Sequence, residues 1–191
     1  MNILEVASQT PTLHTARLTL ERITMKDAFS MYRYSHSETV TRYLTWQAHK
    51  SVFQTIRYVK LLQEKYDSAE FYDWGLREKS TGRFIGTCGF TKLSPETLCG
   101  EIGYVLAERS WGKGYAAEAA EKILEFGFVT LGLHTIAARF LYGNDRSEAV
   151  MKKLGMTSCG VLPESMYIKG GWRTVLEYRI TKEEYFNRIK K

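Results

Sequence analysis

The chain predicts a mixed α/β fold in a single domain. Runs with an apolar period of two alternate along it with runs at helical spacing. Their order is strand, helices, three strands, helix, strand, helix, two strands. That order is not a repeating βαβ array and suits a mixed sheet. The 191 residues contain no internal repeat, low-complexity linker or domain boundary, so one core is expected over 1–191, with its centre at about 12–181. Hydrophobic content of 44% and charged content of 25% are ordinary for a globular protein.

Each element has its own signal. Residues 1–15 read as an extended lead-in. Arg17–Thr24 alternates and reads as the first strand. Thr24 can cap a helix from Met25, with Asp27 in its first turn, ending by Ser35–Ser37. A second helical piece covers Thr39–Leu44. Ser51–Tyr66 is a longer helix, with Val52, Ile56, Val59 and Leu62 at helical spacing. Glu70–Glu78 and Arg83–Leu93 read as strands joined by the Lys79–Gly82 hairpin turn. After a turn at Ser94–Thr97, Glu101–Leu106 is a further strand. A glycine-bearing turn leads to a helix ending near Leu131, where Gly132 stops it. Thr135–Leu141 is a strand. The Gly143–Asp145 turn opens a helix to Leu154, closed by Gly155. Met166–Ile168 and Trp172–Ile180 are strands joined by Gly170-Gly171, and a short helix follows Thr181.

The totals exclude several functions. No apolar run approaches the ~18 residues that span a bilayer, and MNILEVASQTPTLHTAR lacks the basic and apolar segments of a secretory signal. A cytoplasmic location with no membrane partner is expected. Cys88, Cys99 and Cys159 are odd in number and form no CxxC pair, so free thiols are expected. His14, His36, His49 and His134 show no HxH or HExxH spacing, so no metal is expected. The net charge of +6 is modest and carries no Lys/Arg run beyond pairs, so there is no direct nucleic-acid motif. The excess suits an anionic cofactor, a partner bound to nucleic acid, or a solvated basic surface.

Glu101–Ala120, EIGYVLAERSWGKGYAAEAA, is the stretch most informative about function. Gly112 and Gly114 flank Lys113, and the alanine-rich helix starts at Tyr115. Such a turn offers free backbone N–H groups and the positive end of a helix dipole, a site for phosphate. No GxxxxGK[ST] is present, which excludes a P-loop. Gly112-x-Gly114-x-x-Ala117 fits the dinucleotide fingerprint, but Ala107–Trp111 separates it from the strand and the acidic residue ~20 positions on is missing. An NAD-type oxidoreductase is therefore disfavoured.

Arg109-x-x-Gly112-x-Gly114 resembles the R/Q-x-x-G-x-G/A turn of the GCN5-related N-acetyltransferases (GNAT). Glu101–Leu106 looks like that family's bent central strand. Asn144-x-x-Ser147 with Lys153-Leu-Gly-Met156 resembles its N-x-x-[AS]…K-x-G-F segment. Thr15–Leu20 resembles the opening strand of the branch containing ribosomal-protein alanine N-acetyltransferases (RimJ/RimL-like). Ile85–Gly89 and Gly171-Trp-Arg…Tyr178 fall where that branch has similar strands. The resemblance covers about 12–181 and implies a mostly antiparallel sheet of six to seven strands, a splayed central strand and helices on both faces.

The resemblance also implies acetyl-CoA as co-substrate, direct transfer to a primary amine, and no metal. The amides of Gly112, Lys113, Gly114, Tyr115 and Ala116 would cradle the pyrophosphate, with glycine allowing close approach; Arg109 belongs to the same motif. Tyr104, Val105 and Leu106 would pair with the pantetheine arm, and the Val105 or Leu106 amide would face the developing oxyanion. Asn144 would hold the pantetheine amides, unless it serves only as a turn residue or cap. Glu101 is the candidate base, directly or through water. Many members carry a tyrosine seven residues after the asparagine as acid; here that position is Met151. Ser147 is the substitute acid and Tyr142 a second candidate. Tyr43 and Trp46 are the acceptor-pocket candidates. The acceptor is a protein N-terminus, a ribosomal protein among them, or a small amine, and the chain is a monomer or homodimer. The rivals are a non-catalytic coenzyme-A-binding or ribosome-associated module, and an antibiotic-modifying acetyltransferase, for which Asp67, Glu70 and Asp73 are the nearby acids.

Overall fold

The computed structural model describes residues 3–67 and 72–190. The chain runs α1 (Ile3–Ser8), β1 (Leu13–His14), β2 (Leu18–Glu21), α2 (Ala28–Ser35), α3 (Glu38–Thr41), α4 (Val52–Asp67), β3 (Tyr72–Glu78), β4 (Phe84–Ser94) and β5 (Cys99–Leu106). It continues with α5 (Tyr115–Glu125), β6 (Thr135–Leu141), α6 (Asp145–Lys153), β7 (Thr157–Ile168), β8 (Gly171–Thr181) and α7 (Lys182–Ile189). The described residues form one sheet of eight strands in the order β1-β2-β3-β4-β5-β6-β8-β7. Only β5 and β6 are parallel neighbours.

Strand alternation divides the core into two. On one face Trp74, Leu76, Cys88, Phe90, Ile102 and Leu106 meet Ala119, Ala120, Ile123 and Leu124 of α5. On the other, Ile23, Phe84 and Val105 meet Met31 and Tyr34 of α2 and Val59 and Leu62 of α4. Helices thus cover both faces, as expected. Removing Ile123, which is fully buried, down to alanine is worth about 2–5 kcal/mol.

Four expectations need correction. The lead-in is not extended throughout: α1 buries Ala7 in the main core, and Trp74 Nε1 donates to the Pro11 carbonyl at 2.9 Å. These tertiary contacts hold six residues in a helix that would be marginal alone. The short β1 makes the strands eight rather than six to seven. The penultimate strand begins at Thr157, not Met166, and carries two register shifts against β8. It is an exposed edge strand containing Pro163, a place where proline is tolerated and apolar periodicity is weak. The α5 helix ends at Glu125, and Phe126–Thr130 continues as a π-helical turn. Glu70 and Phe71, the expected start of β3, lie outside the described residues.

The feature that positions the site is a parting of β5 from β6. Their ladder runs from Cys99↔Thr135 to Ile102↔Ala138 and goes no further. Beyond it β5 stays with β4 to Leu106, and β6 stays with β8 to Leu141. A bulge between Phe90 and Lys92 in β4 bends the sheet at this level. Among the described residues no helix is long and apolar enough to cross a membrane.

Candidate active site

The gap between β5 and β6 opens into a cleft of ≈ 1120 Å³. Backbone alternation decides what faces it. Ala107 N–H donates to the Ile85 carbonyl, so in the antiparallel β4–β5 pair Gly103 and Val105 turn their backbone groups to β4. Tyr104 and Leu106 turn theirs to the gap. The Leu106 amide, not that of Val105, is therefore the gap-facing donor. Trp111 Nε1 takes the Leu106 carbonyl at 2.9 Å.

At the end of β5 the chain turns through Gly112 and Gly114, both at positive φ (72° and 79°). Neither torsion suits a residue with a Cβ. A Cβ on Gly112 would meet nothing within 4 Å, so conformation rather than crowding requires glycine there. Gly114 is the N-cap of α5 and offers no side-chain cap. The first amides of the helix, including Tyr115 and Ala116, thus lack intrahelical partners and line the cleft.

The turn is clamped from outside by residues that sequence reasoning missed. Arg17 Nη1 donates to the Lys113 carbonyl at 2.9 Å, and its Nε meets Glu118 Oε2 at 2.6 Å. Thr15 Oγ1 adds a 2.6 Å bond to Glu118, and the Tyr115 hydroxyl reaches Glu78. These partners hold the Glu118 carboxyl below its ordinary range against the opposing effect of burial. The Arg109 and Lys113 side chains are exposed and do not line the cleft.

Glu101 lies on the cleft wall with Gly103 and Val105, on the α2/α4 face of the sheet. Its Oε2 stands 3.4 Å from Arg139 Nη1, and Thr91 Oγ1 is 3.3 Å from Oε1. Arg139 is held in turn by Glu177 at 2.7 Å.

Across the gap, α6 places Ser147 at the wall. Its Oγ is 2.9 Å from the Tyr104 hydroxyl. Burial pushes the Tyr104 phenol up, partly offset by that bond, so it stays neutral. The Tyr104 side chain, unlike its backbone, was not singled out in the sequence. Nothing in strand periodicity shows that its hydroxyl crosses to α6. Asn144 Oδ1 accepts from the Ser147 N–H at 3.3 Å as the cap of α6. Met151 is 1% exposed and fills the core. Tyr142 is 69% exposed and lies off the cleft wall.

Tyr43 and Trp46 line the cleft, together with Tyr34 of α2 and Tyr58 of α4. The Trp46 ring lies tilted against His49, with 5.3 Å between ring centroids. His49 Nδ1 is 2.7 Å from Thr55 Oγ1, and burial lowers its pKa. Of the three nearby acids, Glu70 lies outside the described residues, Asp67 ends α4, and Asp73 stands on the cleft wall. Its described partners are the Thr87 hydroxyl and the Trp74 amide, the latter at 3.0 Å. Burial pushes its carboxyl up to about 7 against those two bonds. Among the described residues no cluster of three or more His, Cys, Asp or Glu is arranged to hold a metal ion.

Comparison with known proteins agrees with this architecture. An acetyltransferase (GNAT) domain family model matches residues 17–157. The uncharacterized N-acetyltransferase YoaA of Bacillus subtilis (strain 168) is 33% identical over 90% of this chain and 97% of its own. The crystal structure of a GNAT-family acetyltransferase from Bacillus anthracis superposes with a TM-score of 0.80 at 25% identity, covering 91% of this chain and 99% of that one. The ribosomal alpha-N-protein acetyltransferase RimL, in complex with coenzyme A, shares the fold with a TM-score of 0.79 at 16% identity, over 90% and 98% of the two chains.

Proposed function

The chain belongs to the GNAT acetyltransferase family, and from that premise we propose that it transfers acetyl from acetyl-CoA to a primary amine in the β5–β6 gap. The observation that carries this is the parting of the two strands directly beside a positive-φ glycine turn. A gap edged by unpaired strand amides suits an extended, amide-bearing arm such as pantetheine. A helix start with free N–H groups suits a pyrophosphate. The residues present therefore fit coenzyme A, whose acetylated form would supply the thioester to be cleaved and which would leave as the free thiol.

In this reading the amides from Gly112 to Ala116 hold the phosphates, and Arg17 keeps the turn in shape from behind. The gap-facing groups of Tyr104 and Leu106 hold the arm, and the Leu106 N–H faces the charge that develops on the acetyl oxygen. Asn144 orders the start of α6. Its side-chain carbonyl already caps the helix, which leaves its amide nitrogen for the arm. Glu101, directly or through one water, takes the proton that the amine loses as the N–C bond forms. Ser147 gives a proton to the departing sulfur, with the neutral Tyr104 hydroxyl behind it. The side chains of Arg109 and Lys113 stay outside this cradle.

The acceptor is a protein N-terminus, a ribosomal protein among them, or a small amine, bound between Tyr43, Trp46 and Glu101. Protein carrying the expected activity will release thiol from acetyl-CoA only when an amine is supplied. Mass spectrometry of products from a mixture of N-terminal peptides, polyamines and aminoglycosides will identify the acceptor. Binding of acetyl-CoA without release under any acceptor would favour a non-catalytic module instead.

A further inference from the structure

We propose that Asp73 is the counter-ion for a second positive group on the acceptor, so that this cleft selects a small diamine-type substrate over a monoamine of equal length. The inference rests on the acetyltransferase reading above. Asp73, Gly89 and Gly103 stand opposite one another on β3, β4 and β5, on the face that also bears Glu101. The two positions between Asp73 and the gap thus carry no side chain. A Cβ on Gly89 would meet the β3 backbone first, at the Tyr72 carbonyl and Asp73 Cα, and would lie 2.8 Å from Asp73 Oδ1, so β3 and its carboxylate close directly against a bare β4. Any larger residue at 89 would displace them.

Strand spacing sets a ruler. Two strand steps across the sheet and two residues along β5 from Gly103 to Glu101 separate the Asp73 and Glu101 Cα positions by roughly 12 Å, which the two side chains can shorten to roughly 7–10 Å between their carboxylates. That is too far to touch the nitrogen reacting beside Glu101. It matches the far end of an extended amine, and a chain of roughly five or six methylenes reaches it. The glycine floor is the groove along which such a chain would lie.

The charge pattern agrees. Glu101 has Arg139 beside it, whereas no cation is among the described partners of Asp73. A half-buried carboxylate without a cation favours one brought by a ligand. Tyr34 and Tyr58 feel its charge, and Trp46 lines the same cleft, aromatic surfaces that also favour cations.

The other titratable groups facing Asp73 do not compete near neutrality. They are Tyr34 from α2 and Tyr58 and Tyr66 from α4, all pushed up, while Cys88, pushed up as well, lies on the other face of the sheet. Asp27 reaches Tyr34 from the far side and pairs with Arg77 at 2.5 Å. Lys65, His49, Glu101 and Arg139 also line the cleft, and burial lowers His49. The second cation therefore binds best once Asp73 is ionised, and discrimination should grow as pH rises through about 7.

The test compares 1,6-diaminohexane with hexylamine. For the wild type at pH 8, KM for the diamine should be lower by about 10- to 100-fold, the worth of a charged hydrogen bond. Asp73→Asn should erase that ratio by raising KM for the diamine alone, with kcat for hexylamine and acetyl-CoA affinity held. A merely structural role would move both amines together. Thr87→Val, which removes a bond favouring the ionised carboxylate, should move the onset of discrimination to higher pH and serves if the asparagine variant fails to fold. Thermal shift in the presence of coenzyme A gives a readout independent of turnover. A wild type stabilised more by the diamine than by hexylamine, yet releasing no thiol, would leave Asp73 standing and sink the transferase reading. A wild type that acetylates both amines with equal KM would overturn the role of Asp73 and leave the transferase reading intact.

Discussion

The glycine-turn half of the cleft comes from one continuous stretch, Glu101–Ala117, whereas the half lined by Tyr34, Trp46, Tyr58 and Asp73 draws on α2, the loop before α4, α4 itself and β3. The first half works through backbone. Its donors are N–H groups, and its shape follows from two positive-φ glycines. The second half works through side chains that meet only when the sheet has formed. A backbone site tolerates side-chain change but not torsional change. A side-chain site behaves in the opposite way. Variants on one side should therefore alter acetyl-CoA affinity, and variants on the other side the KM of the amine.

The largest expected effect falls where the halves meet. Glu101→Gln should lower kcat by about a hundred- to ten-thousandfold, the usual worth of a general base, with acetyl-CoA affinity by calorimetry unchanged. A pH–rate profile identical to that of the wild type would remove Glu101 from the chemistry. Ser147→Ala should lower kcat by about 10- to 100-fold, as expected for loss of an acid with water in its place. Full turnover would leave Ser147 as an ordinary helix-start serine.

Gly114→Val addresses the backbone half alone. Forcing a β-branched residue to positive φ costs about 1–2 kcal/mol, so acetyl-CoA should bind about tenfold more weakly while the amine KM stays put. Trp46→Ala addresses the side-chain half. Losing one aromatic wall should raise the amine KM about two- to tenfold without touching acetyl-CoA affinity. If either variant moves both constants equally, the halves are not independent.

The smallest effect is on stability. The folded Asp73 carboxyl, at about 7 against an ordinary 3.8, binds its proton more tightly than the unfolded one. Its contribution is present at low pH and is lost as pH rises from about 4 through about 7. Asp73→Asn should therefore gain on the wild type as pH rises, by on the order of 1–2 kcal/mol at pH 8. Melting temperatures at pH 5 and pH 8 give the comparison, and a constant offset between the two proteins would count against it.

Much of this was legible in the residues. The order of the elements, the Gly112–Gly114 turn and the alanine face of α5 followed from period and propensity, because neighbours in sequence decide them. The bent strand, Asn144 and Ser147 came with the family resemblance. The failures share one cause. α1 and the start of β7 are held by contacts with distant chain, Ala7 against the main core and Thr157 against Arg179. No local pattern carries those contacts. Arg17 reads as a strand residue in sequence, yet it is the clasp of the glycine turn.

Taken alone, the sequence determined a mixed α/β domain with a glycine turn and a helix start after its central strand, since torsions and amphipathic periods are properties of short segments. Only the tertiary structure decided which amide of that strand faces the gap, because the choice depends on pairing with β4. It also decided that Tyr104 backs Ser147 and that Asp73, rather than Asp67, stands on the cleft wall. The charge state of a carboxyl is set by what surrounds it, and the surroundings of Asp73 are assembled from four separate elements.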